Sequence, residues 1–248
     1  MGCNASKPSS SGPLPPGMSG LQDVHSHIPR NRADKHGVPL QQVTRDIDRA
    51  TLMAALNYVS EHVAGRGHFI SVAAVGGAVN TLLLRSQQTT YDIDIFGSDF
   101  SNDSRRLLDE AMQSARANYP GLGTDWLNTE TQMWMSGTLH RELTLGAREQ
   151  DVVVFRGAGL EILAAPWEYA FSAKISRLLT GGSQVKPYDL DDAVVYIHQF
   201  LRTSRANHVS VATAMAWSKS FHTEMTSDIL LNRVNKAYQQ KYGAVAFV

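Results

Sequence analysis

Asp92-Ile93-Asp94 is the part of this chain whose residue types and spacing point most directly to chemistry. Along the run Tyr91–Phe96 the alternation puts Asp92, Asp94 and Phe96 on one face of an expected strand, with Ile93 and Ile95 on the other. Two carboxylates spaced i, i+2 on one face repel each other unless something compensates their charge, and a divalent cation is the usual compensation. Mg²⁺ (or Mn²⁺) is a hard, oxygen-seeking ion that binds through one or two carboxylates together with substrate phosphates. A two-metal site holds its ions about 3.5–4 Å apart and needs a further carboxylate from another strand. Asp151, at the head of the apolar run 151–155, is expected to be that third ligand. Gly76-Gly77 lies between an expected strand and an expected helix, where small residues let backbone N–H groups approach a phosphate and the helix dipole favours its charge. Singly, each feature has an ordinary reading: a solvent-facing aspartate pair or a common glycine turn. Together they describe a nucleotide and metal site.

The elements that must position these residues follow from periodicity. Residues 46–64 carry Ile47, Leu52, Leu56, Val59 and Val63 at helical spacing, and 69–75 is a short apolar run expected to be a buried strand. Residues 78–85 read as a helix after the glycine pair. Residues 102–117 read as another, with Asn102 or Asp103 as its N-cap and Leu107, Leu108, Ala111, Met112 and Ala115 facing inward. Residues 120–150 show no clear period, and one or two strands are expected there around Met133 and Leu143. Strands at 151–155 and 160–163 precede a helix that starts at Pro166 and ends near Leu179 before Gly181-Gly182. Further helices run from Asp189 to Leu201 and on to Tyr242. The expected fold class is α/β (α+β): a mixed-sheet head with a helical C-terminal part.

The run Val75-Gly76-Gly77-Ala78-Val79-Asn80 through Asp92-Ile93-Asp94-Ile95-Phe96 resembles the signature of the polymerase-beta-like nucleotidyltransferase superfamily. The later run 163–168, with Lys174, Arg177 and Asp189-Leu190-Asp191-Asp192, is similar to the abortive-infection toxin branch of that superfamily. The likeness spans about Asp46 to Leu201. It implies a nucleotidyltransferase that moves a nucleotidyl group from a nucleoside triphosphate to a hydroxyl acceptor with Mg²⁺ or Mn²⁺. Carried onto this sequence, it implies Asp92, Asp94 and Asp151 as metal ligands and catalytic carboxylates. Gly76 and Gly77 would hold the triphosphate and Lys174 would neutralise its charge, with Asp189 and Asp192 orienting Lys174 or capping a helix. Many relatives carry Ser or Thr after the glycine pair, where this chain has Ala78. That difference leaves open a degenerate nucleotide-binding module, or a membrane adaptor, with the same fold.

Composition narrows the setting. The chain has 248 residues, 43% hydrophobic and 19% charged, enough for one sizeable core. Lys+Arg and Asp+Glu both number 23, which argues against a dedicated DNA-coating protein. A single cysteine excludes a disulfide framework and a cysteine-built zinc site. Up to Arg45, however, Lys7, Arg30, Arg32, Lys35 and Arg45 face only Asp23 and Asp34, so this proline-rich stretch is basic and the remainder is mildly acidic.

Residues 1–45 are therefore expected to form a disordered arm, 46–202 the nucleotidyltransferase-like domain and 203–248 a helical extension. The opening Met1-Gly2-Cys3-Asn4-Ala5-Ser6 fits the pattern for N-myristoylation at Gly2, with Cys3 placed for palmitoylation. One myristoyl chain binds membrane only marginally, so the second acyl group would supply stable anchoring. The expected location is cytoplasmic, at the inner face of a membrane. His25 and His27, two histidines with no third ligand nearby, are read as inert. Trp126 and Trp134 are read as core rather than base-stacking residues.

Overall fold

The computed structural model of the protein describes residues 41–97, 101–129, 131 and 135–248. Gly2, Cys3, His25, His27, Met133 and Trp134 lie outside the described residues. No described helix is long and apolar enough to cross a membrane.

The chain enters through a two-residue strand β1 (Ile47–Asp48), which pairs antiparallel with β3 (Thr89–Thr90). Asp48 then caps α1 (Arg49–Gly65), its carboxylate accepting from the Thr51 amide at 2.8 Å. That bond holds the Asp48 carboxyl below the usual carboxylate range. Leu52, Leu56, Val59 and Val63 recur on one face of α1 and are fully buried, as their spacing predicts.

Five strands form the main sheet in the order β5 (Leu127–Asn128), β4 (Ile93–Phe96), β2 (Ile70–Val75), β7 (Leu160–Ala164) and β6 (Val153–Arg156). The β2–β4 and β6–β7 pairs are antiparallel, whereas β2–β7 and β4–β5 are parallel, so the sheet is mixed and the fold is α+β. Alternation divides its side chains between two cores. Val72, Ala74, Ile93, Ile95, Ile162 and Ala164 belong to the larger one, with α1 and α3 (Asn102–Asn118). Ala73, Phe96 and Leu163 face the other way, against Leu139, Leu143 and Ala147 of α4 (Gly137–Gln150) and Tyr169 of α5 (Trp167–Thr180).

Several expectations are corrected here. Leu143 lies in the helix α4 rather than a strand: Leu139, Leu143 and Ala147 recur every four residues behind the N-cap Ser136, whose hydroxyl accepts from the Leu139 amide at 3.2 Å. The cap of α3 is Ser101, which accepts from the Ser104 amide. Residues 78–85 are not one regular helix. A single turn, α2 (Gly77–Val79), widens into a π-helical turn at Asn80–Leu84 and stops at Arg85 in the left-handed region.

Chain on either side of residues 46–202 also packs on this body. Before residue 46, the Val43 amide donates to the Thr124 hydroxyl at 2.9 Å and Gln42 donates to Asp125, so chain assigned to the arm docks on the body. The C-terminal segment is helical, as expected, and packs on the same core. After α6 (Asp189–Ser204) come α7 (Val211–Ser220), a π-helical turn (Ile229–Val234) and α8 (Asn235–Tyr242). Ile229, Leu230 and Val234 of the π-helical turn, and Phe247 beyond α8, are buried in the larger core with α1 and the sheet. Asn235 fastens the chain end, donating to the Phe247 carbonyl at 2.9 Å and accepting from the Ala246 and Phe247 amides at 3.0 and 2.9 Å.

Candidate functional site

Strand pairing brings the glycine turn and the aspartates together. Asp94 stands in register with Val75, the residue immediately before Gly76, so the head of β4 lies beside the turn that ends β2. Gly76 has φ +73 and ψ −142, backbone in which a side chain is strained. A Cβ at Gly77 would collide with the Thr90 hydroxyl. That hydroxyl donates to the Asp92 carbonyl at 3.1 Å and so ties the turn to the aspartate pair. Gly76 is therefore required by its backbone conformation and Gly77 by the packing of Thr90 against it.

Asp92 and Asp94 are half-buried, and Ile93 and Ile95 are fully buried in the larger core. Asp94 therefore lies on the opposite sheet face with Phe96, where the buried Tyr169 hydroxyl feels its charge. Burial first, and Asp94 second, push the Tyr169 hydroxyl pKa above the ordinary tyrosine range. His140 of α4 sets its ring against Phe96 at 6.0 Å on this face, and burial together with Arg105 pushes its pKa down.

Asp151 does not join the pair. It ends α4 in the left-handed region, its side chain 74% exposed and 3.9 Å from Arg156. It leads into β6, which β7 and β2 separate from β4, and three strand spacings are about 14 Å. Among the described residues no three His, Cys, Asp or Glu side chains converge as a metal-binding group. The position across from Asp94 on the neighbouring strand is held by Asn128, and directly paired residues share a face. Asn128 is 2% exposed and donates to the Asp125 carbonyl at 3.4 Å. A neutral carboxamide, not a third carboxylate, thus stands across from Asp94.

Lys174 is buried, and its ammonium is 2.8 Å from Asp189 and 2.8 Å from Asp192. The Lys186 amide and Arg177 add bonds to Asp189 at 2.7 and 3.5 Å, and Gln87 donates to both Asp192 oxygens at 3.0 and 3.2 Å. Burial pushes the Asp192 carboxyl above the usual range, with Lys174 opposing it. The reading in which Asp189 and Asp192 orient Lys174 matches this geometry. The two carboxylates balance the charge of Lys174 and tie α5 to α6.

Two contributors, Gln87 and Tyr196, escaped the motif reading, and a third, Asn80, ends the glycine run but has no role assigned to it there. Gln87 links Asp192 to the glycine turn, its Oε1 lying 3.6 Å from where a Gly77 Cβ would stand. Tyr196 of α6 donates to the Gly76 carbonyl at 3.3 Å. Asn80 is fully buried beside that tyrosine, and a lone carboxamide in the apolar run 78–84 was its only signal. Ala78 is fully buried in the larger core, so a hydroxyl there would meet apolar packing. No curated protein and no solved structure matches the chain. A family model does match residues 45–245, and the chain therefore belongs to the family described as Domain of unknown function (DUF7582).

Proposed function

We propose that this chain binds a nucleoside triphosphate as the complex of a single divalent cation, on a nucleotidyltransferase-like domain that has lost its second metal position. The observation that carries the reading is the register of Asp94 with Val75, which sets a two-carboxylate strand beside the Gly76-Gly77 turn. Asp92 and Asp94 fit one hard ion that completes its oxygen shell from phosphates and water. Held by Asp92 and Asp94, such an ion would neutralise the charge of the phosphate. A second ion needs a further carboxylate, and the residue across from Asp94 is Asn128. The chain's own part is to offer backbone amides at Gly76 and Gly77, hold the turn through Thr90 and Tyr196, and brace it through Gln87, Asp192 and Lys174.

Calorimetric titration with each nucleoside triphosphate, in Mg²⁺, in Mn²⁺ and in EDTA, tests this. Binding is expected with metal and is expected to vanish in Asp92→Asn/Asp94→Asn; metal-independent binding, or binding unchanged in that variant, overturns the reading. Nucleotidyl transfer to a hydroxyl acceptor is the second reading, favoured by the intact Asp92 and Asp94 pair. In that reaction the acceptor oxygen bonds to the α-phosphorus, the bond to pyrophosphate breaks, and the acceptor proton leaves to solvent. Pyrophosphate release across an acceptor screen separates transfer from binding alone. The sequence at Gly2 and Cys3 supports acyl tethering of the domain to a membrane, and a Gly2→Ala chain that stays membrane-bound in cell fractionation refutes it.

A further inference from the structure

Away from the glycine turn, the C-terminal end of α6 and the face of α8 enclose an open groove of about 360 Å³, lined by His198, Leu201, Arg202, Arg205, Asn207 and Tyr238. That volume lies at the lower end of the range for small-molecule sites. The floor of the groove is built rather than incidental. His198 stacks on Tyr242 with ring centroids 3.8 Å apart and planes 4° from parallel, and its Nδ1 is 2.9 Å from the Tyr238 hydroxyl. The imidazole is thereby fixed in place, leaving Nε2 as its other polar atom.

The charge of the groove has one sign. Arg202 and Arg205 are exposed on its walls, and Lys241 lies over the Tyr242 ring at 5.9 Å. Among the described residues no carboxylate pairs with any of these three cations. Burial first, and then the charges of Arg202 and Lys241, hold the His198 pKa below the ordinary histidine range. Elsewhere on the chain, Arg156 and Arg177 do have carboxylate partners. Arg205 also occupies the left-handed position that closes α6, where glycine is the residue with no steric cost. The last carbonyls of α6 do not oppose an anion fully, since the Arg205 and Ala206 amides bond back to Arg202 and Leu201.

We infer that this groove is a binding site for a phosphomonoester, with the guanidinium groups of Arg202 and Arg205 as the principal phosphate contacts. Guanidinium forks match phosphate oxygens in paired hydrogen bonds, and Lys241 adds a point charge at the rim. Asn207 and the neutral His198 supply polar contacts for the group that carries the phosphate. The phosphate could be that of a soluble ester or of a phosphoinositide headgroup, since both present the same dianion to the two arginines.

The test uses the full chain made in bacteria, without acyl groups, in EDTA so that the aspartate pair takes no metal. Binding of glycerol 3-phosphate, a soluble phosphomonoester, is measured by calorimetry at 150 mM salt. Binding of vesicles is measured by cosedimentation, with phosphatidylcholine alone and with 5% phosphatidylinositol 4-phosphate. Saturable binding that falls at least tenfold in Arg202→Ala/Arg205→Ala, and is unchanged in Asp92→Asn/Asp94→Asn, is the expected result. Both arginines are exposed, and an unchanged melting temperature verifies that the variant is folded. Affinity for the phosphoinositide vesicles well above that for glycerol 3-phosphate supports the site with a lipid ligand; binding of glycerol 3-phosphate alone supports it with a soluble one. Absence of saturable binding in both arms, or binding that the arginine variant retains, overturns it. Because the aspartate variant is read in the same assay, failure here leaves the nucleotide reading to its own titration.

Discussion

Lys174→Met separates a structural lysine from a phosphate-binding one. In the folded chain Lys174 is 8% exposed and is shared by Asp189, 0% exposed, and Asp192, 3% exposed. Methionine keeps most of the volume and removes the charge, leaving two buried carboxylates with only Arg177, Gln87 and the Lys186 amide as partners. Breaking a buried ion pair by removing one member costs about 3–5 kcal/mol, because the remaining charge stays desolvated. For a domain of this size each kcal/mol is roughly 2–4 °C in Tm, so the expected fall is about 6–20 °C.

The pH dependence has a definite sign. Burial already raises the Asp192 carboxyl above its unfolded value, so the folded state holds its proton more tightly. The stability associated with this group is fully present below the unfolded carboxylate range, about 3.9, and declines as pH rises through the folded value. Without Lys174 the attraction that opposes burial disappears and the carboxyl moves further up. The stability gap between parent and Lys174→Met is therefore largest at pH 7 and narrows toward pH 5. Denaturant melts at both pH values measure this, and adding Asp192→Asn to Lys174→Met should recover part of the loss. A Lys174→Met chain that melts with the parent but loses triphosphate binding would refute the structural role and return Lys174 to the phosphates.

Three other substitutions probe the site and its support. Asn128→Asp places a second carboxylate across from Asp94, so the variant should be less stable than the parent in EDTA and gain more melting temperature on adding Mg²⁺; an equal Mg²⁺ response in both chains contradicts the assigned register. Gly77→Ala drives a Cβ into the Thr90 hydroxyl, and overpacking of this kind costs about 1–3 kcal/mol. Thermal melts should show that loss, with partial recovery on adding Thr90→Ala. Asn235→Ala leaves the Ala246 and Phe247 amides and the Phe247 carbonyl without their partner. At about 1–3 kcal/mol for each buried polar group left unsatisfied, the C-terminal segment should lose hydrogen-exchange protection before α1 does.

The helices were legible where one face is apolar and a cap stands at the start. α1 and α6 begin within about three residues of their expected places, and α5 follows Pro166 directly. The exception in the head is α4: its apolar stripe of Leu139, Leu143 and Ala147 is interrupted by Gly137, Gly146 and charged residues. The docking of Gln42 and Val43 on residues 124–125 leaves no mark in local periodicity, because those contacts bridge more than 80 positions and use polar groups.

The fate of Asp151 turns on strand order, which local pattern does not encode. A hairpin of two apolar runs can add either member to the sheet, and the choice decides what lies beside the aspartate pair. Here the inner member is β7, whose Leu160, Ile162, Leu163 and Ala164 are buried, while β6 ends in the exposed Arg156. Charged residues belong on edge strands, where they discourage further pairing. Asp151 and Arg156 thus flank β6 as edge markers, and the same charges that made Asp151 look like a metal ligand send its strand to the far side. On the other edge, β5 has only Leu127 and Asn128, too short to register as a strand, yet its pairing with Ile93 and Asp94 determines the number of carboxylates at the site. A motif spread over three strands is therefore only as secure as the order of those strands. The part of the site carried by one adjacent pair, Val75-Gly76-Gly77 against Asp92-Ile93-Asp94, is the part the fold preserves.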